Sequence, residues 1–217
     1  MKIIILVSLI TQFALAQQSN SCLCPANTMA GTTKDQKPNK TFTFSGGQQI
    51  MLCGYEEPDK KEMVYSEFIL QECGKDSVID FWGAVFTGSV NFKNDAILIK
   101  ETKNLPTGPD RSFVTTCWSI ETIWYKNQKL IRKYEINHDI RKYTKAEIAK
   151  TLKEFEGGKD NYTGDLEDVM YRLFIAAISG DATAKKYFSE FKNFNLTDGA
   201  VAEDYKDLTT MLKLWQD

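Results

Sequence analysis

The sequence predicts an α+β protein with its strands first and its helices last. Two observations carry this. Between residues 41 and 140, apolar and polar residues alternate over short runs separated by Gly, Pro, Asn and Asp, the period-two pattern of half-buried strands. From residue 141 the apolar spacing lengthens to three and four residues behind capping residues, the pattern of amphipathic helices. No fixed-period repeat is visible, which makes a solenoid a minor option.

The chain therefore divides into a signal peptide at 1–16, a cysteine-containing arm or linker at 17–40, a β-rich region at 41–140 and a helical region at 141–217. The last two are expected to pack as one unit. About eight strands are expected, paired antiparallel because the connections are short. A sandwich, a partly closed barrel and a large curved sheet all satisfy that pattern.

Residues 1–16 read MKIIILVSLITQFALA. One lysine, a short apolar run and Ala14-Leu15-Ala16 are the parts of a secretory signal cleaved after Ala16. The run is shorter than the ~20 residues a membrane span needs, and no second run of that length follows. The expectation is a secreted or periplasmic protein with no transmembrane helix after signal removal. Lipid anchoring at Cys22 or Cys24 is the rival; the residues before Cys22, Ser19-Asn20-Ser21, are a poor context for it.

Five cysteines follow the signal: Cys22, Cys24, Cys53, Cys73 and Cys117. In an exported chain they point to disulfides, and an odd number suggests two bridges and one spare. Cys22 and Cys24 are too close to bridge each other easily and should take separate partners. By strand parity Cys53 lies with Met51 and Tyr55, and Cys73 with Tyr65, Glu67, Ile69 and Gln71. Cys117 lies on the polar side of its own strand. All three are thus expected on the outer sheet face, with the arm at 22–24 stapled across it. The C-x-C pair has no second pair or nearby histidine to make a metal site, so no metal is assigned.

Residues 25–40 are polar and turn-prone. The strands expected next are Thr41–Ser45, Gln49–Tyr55, Val64–Cys73, Ser77–Phe86, Ser89–Phe92 and Ala96–Glu101, with loops at 56–63 and 102–112 offered to a partner. A hairpin over Phe113–Asn137 closes the set. Its even positions, Trp118, Ile120 and Trp124 among them, are the more apolar, so an even-with-even register through a three- or five-residue loop is expected. A two-residue turn at Asn127-Gln128 would instead set Cys117 opposite His138, the only histidine, as a nucleophile and its base. The mixed faces of that register argue against it.

The helices follow from Thr144-x-x-Glu147, a capping box, with Ile148, Leu152 and Phe155 behind it. Asp165 caps a second helix carrying Leu166, Val169, Met170, Leu173, Phe174, Ala177 and Ile178. Asp181 caps a third with Ala184, Tyr187, Phe188 and Phe191. The last carries Val201, Tyr205, Leu208, Leu212 and Trp215.

Function is weakly written. Trp82, Trp118, Trp124 and His138 are candidates for lining a ligand groove, although aromatics on strands more often pack. Asp160, Asp165, Glu167 and Asp168 cluster, yet the calcium-loop spacing is absent and helix capping accounts for two of them. Asn39, Asn161 and Asn195 sit in glycosylation-type triplets. No nucleotide, dinucleotide or hydrolase fingerprint is present and no cofactor is implied. A formal charge of −2 with no long single-sign block lacks the footprint of a nucleic-acid binder. The reading is a non-catalytic exported binding or interaction protein whose partner is another protein or an extracellular ligand. The alternatives are a secreted hydrolase using a carboxylate pair, which needs no histidine, and an envelope-associated lipoprotein with a structural role.

Overall fold

The alternating runs become one antiparallel sheet in the computed structural model, which describes residues 22–58, 63–83, 87–108, 110, 112–158, 166–193 and 199–216. Its strands are β1 (Lys40–Thr43), β2 (Gln49–Pro58), β3 (Met63–Glu72), β4 (Val78–Trp82), β5 (Gly88–Lys93), β6 (Ala96–Pro106), β7 (Phe113–Lys126) and β8 (Lys129–Ile136). They lie in the order β1-β2-β3-β5-β6-β7-β8, with β4 also paired to β3. Four helices follow: α1 (Lys145–Gly158), α2 (Leu166–Ile178), α3 (Ala182–Glu190) and α4 (Gly199–Gln216). The expected signal peptide, the Asp165 cap and the Asn161 and Asn195 triplets lie outside the described residues.

One sheet forms, and it curls. β1 and β7 are five strands apart, roughly 24 Å across a flat sheet at ~4.8 Å per strand. Yet the Phe44 ring just after β1 meets Tyr125 of β7 edge-on at 4.9 Å. Ser45 donates through its backbone and hydroxyl to Asp95 at the β5–β6 turn, each at 2.7 Å. Arg132 of β8 bonds Asp80 of β4. The concave face is filled by Phe42, Ile50, Leu52, Phe68, Leu70, Ile97 and Ile123, all buried, each worth ~1.5–3 kcal/mol of burial.

The strands run further than expected. Glu56–Pro58 continue β2, and Thr102–Pro106 continue β6, so part of each expected loop is sheet. Between β2 and β3 a bulge at Ser66 breaks the parity. Tyr55 pairs with Glu67 but Glu56 pairs with Tyr65, so Tyr65 turns inward beside Phe68 rather than sharing the face of Ile69. Gly54 is needed here, because a Cβ at this position would lie 2.1 Å from the Glu67 carbonyl oxygen.

The β7–β8 hairpin corrects the expected register. Lys126 pairs with Lys129 and Trp124 with Ile131 around a two-residue turn. Asn127 and Gln128 both adopt positive φ, 50° and 62°, as a type I′ turn requires. The faces are therefore mixed, and the mixture is made tolerable by pairing. On the concave side Arg132 Nε donates to Glu121 at 2.6 Å, and Ser119 Oγ donates to Glu101 at 2.9 Å. The buried Glu121 and Ser119 are each given a partner and so avoid the desolvation cost that made this register look poor.

The arm lies on the convex face. Disulfides join Cys22 to Cys73 and Cys24 to Cys53, and Cys24, Ala30, Met51, Cys53 and Ile69 form a small buried cluster there. Cys117 belongs to neither bridge and pairs with Thr102 on that same side of the sheet.

Helix α2 is the hub of the second core, touching α1, α3, α4 and β6. The capping box forms, with Thr144 N donating to Glu147 Oε2 at 2.7 Å and Glu147 N to Thr144 Oγ1 at 3.3 Å. Asp181 caps α3 by accepting from Ala184 N at 2.8 Å. Phe155, Met170, Leu173, Phe174, Phe188 and Leu208 are buried with Trp118 and Leu105 of the sheet. The helices thus cover the end of the concave face that the strand residues leave open.

A cleft between sheet and helices

β5 stops at Gly88, opposite Glu101, while β6 continues to Pro106. Beyond that point the β5 side of β6 is held only by Thr102 among the described residues, whose backbone N and hydroxyl donate to the Thr87 carbonyl at 2.7 and 2.9 Å. The early ends of α2 and α4 stand over this stretch. Between them is a cleft of about 620 Å³.

Its sheet wall presents Thr87, Thr102, Lys103 and Asn104, joined by Phe113 and Thr115 of β7. Its helical wall presents Glu167, Asp168 and Tyr171 from α2 and Asp204 from α4. Thr115 Oγ1 donates to Asn104 Oδ1 at 2.8 Å, which fixes the Asn104 amide across the strand pair. The Phe113 ring, 42% exposed, meets Tyr171 edge-on at 6.0 Å.

The charges are ordered. Lys103 Nζ lies 2.5 Å from Asp207 and 3.4 Å from Glu101. Burial alone would pull its pKa down, but the hydrogen bonds and charges of Asp207 and Glu101 outweigh burial and leave it raised. The Asp204 carboxyl is pushed above the usual aspartate range, chiefly by burial and further by Asp207, against the opposing Tyr171 hydrogen bond and Lys103 charge. The Tyr171 hydroxyl is held up in turn by burial first and then by Asp204 and Glu167. Behind the helical wall, Arg172 is fully buried and bonds Glu154 with both terminal nitrogens, at 2.7 and 3.0 Å. Its Nη2 also meets Asp168 at 2.7 Å, which anchors that carboxylate at the rim.

The four groove candidates lie elsewhere, and none of them lines the cleft. Trp82 stacks on Phe68 at 4.7 Å inside the curled sheet, with Arg132 over its ring. Trp124 sits half-buried on β7, between Ala96 and Ile131. Trp118 is buried in the helical core and stacks on Trp215 at 5.9 Å. His138 packs on that same Trp215 at 4.6 Å, so these two candidates share a neighbour.

No Cys117–His138 dyad forms, although the two-residue turn does. Pairing stops at Ser119 and Ile136. Asn137 then binds the Trp118 and Cys117 carbonyls, at 2.8 and 2.9 Å, and turns His138 toward α4. Cys117 Sγ approaches the Ser119 carbonyl at 3.6 Å instead. Asn39, the one glycosylation-type asparagine among the described residues, accepts from Gly54 N at 2.8 Å and is committed to the sheet.

Lys103, Asn104, Thr115, Tyr171 and Asp204 carry the cleft without having been singled out in the sequence. One signal was present. Asp168 and Arg172 stand four residues apart inside the apolar run of α2, and charges on a helix buried all round must be paired or serve a site. Among the described residues no group of three or more His, Cys, Asp and Glu side chains is placed to hold a metal, and no helix is long and apolar enough to cross a membrane. Comparison with protein-family models, with curated proteins and with solved structures finds no match.

Proposed function

We propose that this is an exported, non-catalytic binding protein that holds a small polar ligand between β6–β7 and helices α2 and α4. The observation that carries the reading is the cleft itself. Its volume suits a small molecule, and it combines two aromatic rings with hydroxyl, amide and carboxylate groups, the mixture that fixes a ligand's orientation. Its walls come from regular elements, with Asn104, Asp168 and Lys103 each held by a neighbour, so little ordering is needed on binding.

Export is supported by the signal-like residues 1–16 and by two disulfides, which persist in oxidising compartments. With Cys22 and Cys24 both bridged, neither thiol is left to carry a lipid, which weighs against the anchored alternative.

One observation favours catalysis as a second reading. Asp204 has a raised carboxyl and shares the cleft with Glu167 and Asp168, and carboxyl groups set in different environments of one pocket are the arrangement of carboxylate hydrolases.

The test is a thermal-shift screen of the disulfide-bonded protein against small polar compounds, run beside Thr115→Trp, which fills the cleft. The reading expects compounds that raise the melting temperature of the wild type, not of the variant, and are recovered unchanged. Hits that act equally on both proteins, or no hits at all, would overturn it. Conversion of a hit, abolished in Asp204→Asn, would establish the hydrolase instead.

A further inference from the structure

We infer that the cleft selects a cationic ligand, a protonated amine carried on a ring or short apolar body, with the amine seated at Asp204 and the body against Phe113 and Tyr171. This rests on the binding reading above and narrows its ligand.

Hydrogen-bonding capacity is the first ground. Among the described residues the lining holds three carboxylates and one ammonium, and one of those carboxylates, Asp168, is already held by Arg172. That ammonium, Lys103, already donates to Asp207 and lies beside Glu101. The Thr115 hydroxyl already donates to the Asn104 carbonyl oxygen, and the Thr102 hydroxyl to the Thr87 carbonyl. The cleft thus offers acceptors and few uncommitted donors, so a ligand must bring donors of its own. An anionic ligand would meet carboxylates across a short gap, where like charges repel strongly in a partly desolvated space.

Position is the second. A smaller hollow of about 200 Å³ adjoins the cleft, bordered by Glu203, Asp204, Lys206, Asp207 and Thr210, and Asp204 lines both. An amine at Asp204 therefore lies at the meeting of two acidic spaces, with room on the cleft side for its body. Apolar surface is the third. Phe113 keeps a large exposed ring at the cleft, braced edge-on by Tyr171. Aromatic rings bordering a negative pocket suit organic cations, because their faces attract positive charge and their area is apolar. A neutral polyol would use the acceptors but gain nothing from the net charge.

The experiment is titration of the disulfide-bonded protein, isotope-labelled for NMR, with phenethylamine, its neutral counterpart 2-phenylethanol, and maltotriose as an uncharged polyol. Phenethylamine is expected to shift the Phe113, Tyr171 and Asp204 resonances and to bind at least tenfold tighter than 2-phenylethanol. That preference should shrink in high salt and vanish in Asp204→Asn, whose retained spectrum elsewhere would show that it folds. Equal binding of amine and alcohol, or a cleft that takes only maltotriose, would overturn the cationic inference while leaving the binding reading standing. Failure of all three to shift any cleft resonance would overturn the inference, and the thermal-shift screen would then decide the binding reading separately.

Discussion

Arg172 and Asp168 face each other at 2.7 Å across one turn of α2, the arginine fully buried and the aspartate nearly so. The guanidinium also forks onto Glu154 of α1, so one cation ties two helices together and holds a carboxylate at the cleft wall. Removing one member of a buried pair strands the other without solvent, at roughly 3–5 kcal/mol. Arg172→Ala is therefore expected to lose about that much stability in urea unfolding. Asp168→Asn, which keeps a hydrogen-bond acceptor for the arginine, should lose less. A negligible loss in Asp168→Asn would show that Glu154 alone satisfies the guanidinium, and a negligible loss in Arg172→Ala would show that the two carboxylates do not depend on it.

The two disulfides should differ in resistance to reduction. Cys24 and Cys53 are buried, at 2% and 0% exposure, whereas Cys22 and Cys73 are half-buried. Graded dithiothreitol followed by alkylation and peptide mapping should label Cys22 and Cys73 first. Each bridge closes a long loop, with sequence separations of 51 and 29, for which chain entropy predicts roughly 3–4 kcal/mol apiece. Because one loop lies within the other, the double loss should fall short of the sum. Simultaneous labelling of all four cysteines would mean that the arm detaches as a unit.

At the β7–β8 turn, Gln128 sits at φ 62°, a conformation that costs a side-chain-bearing residue free energy and a glycine almost none. Gln128→Gly is expected to stabilise the protein by about 0.5–1 kcal/mol, read from the urea midpoint at unchanged m-value. A loss would mean that the glutamine side chain contributes more than its backbone costs.

That same turn marks the limit of what was legible in the sequence. Asn-Gln is a poor turn signal beside Asn-Gly, so the two-residue loop was overruled by face parity. Parity failed because on the concave face Ser119 donates to Glu101 and Arg132 donates to both Glu121 and Asp80; a pairing across three strands leaves no trace in any one of them. The helical stripes were legible because each is local, and Phe155, Leu173, Phe188 and Leu208 all reached the core as their spacing demands. The arm was legible because parity on β2 has no bulge before Cys53. The cleft was not, since it arises where β6 outruns β5 and two helices return over the gap, and Lys103 and Asp204 meet across a hundred residues of chain.

Asp204 supplies the pH dependence. Its carboxyl titrates above the unfolded aspartate range because burial disfavours the anion. A raised folded-state pKa means that the folded protein binds this proton more tightly than the unfolded chain does. Its contribution to stability is therefore complete below the ordinary aspartate range and is lost as pH rises through the raised value. Asp204→Asn removes that loss. The variant should gain stability relative to the wild type as pH rises from the acid side, and the difference should level off once Asp204 is fully ionised. Urea unfolding of both proteins across that range reads the sign directly. A variant that instead loses ground as pH rises would mean that the ionised carboxylate is favoured in the fold, with Lys103 rather than burial dominating its surroundings. The binding prediction runs the opposite way, since an amine ligand needs the anion: affinity for phenethylamine should rise over the same interval in which the carboxylate's burial costs the free protein stability.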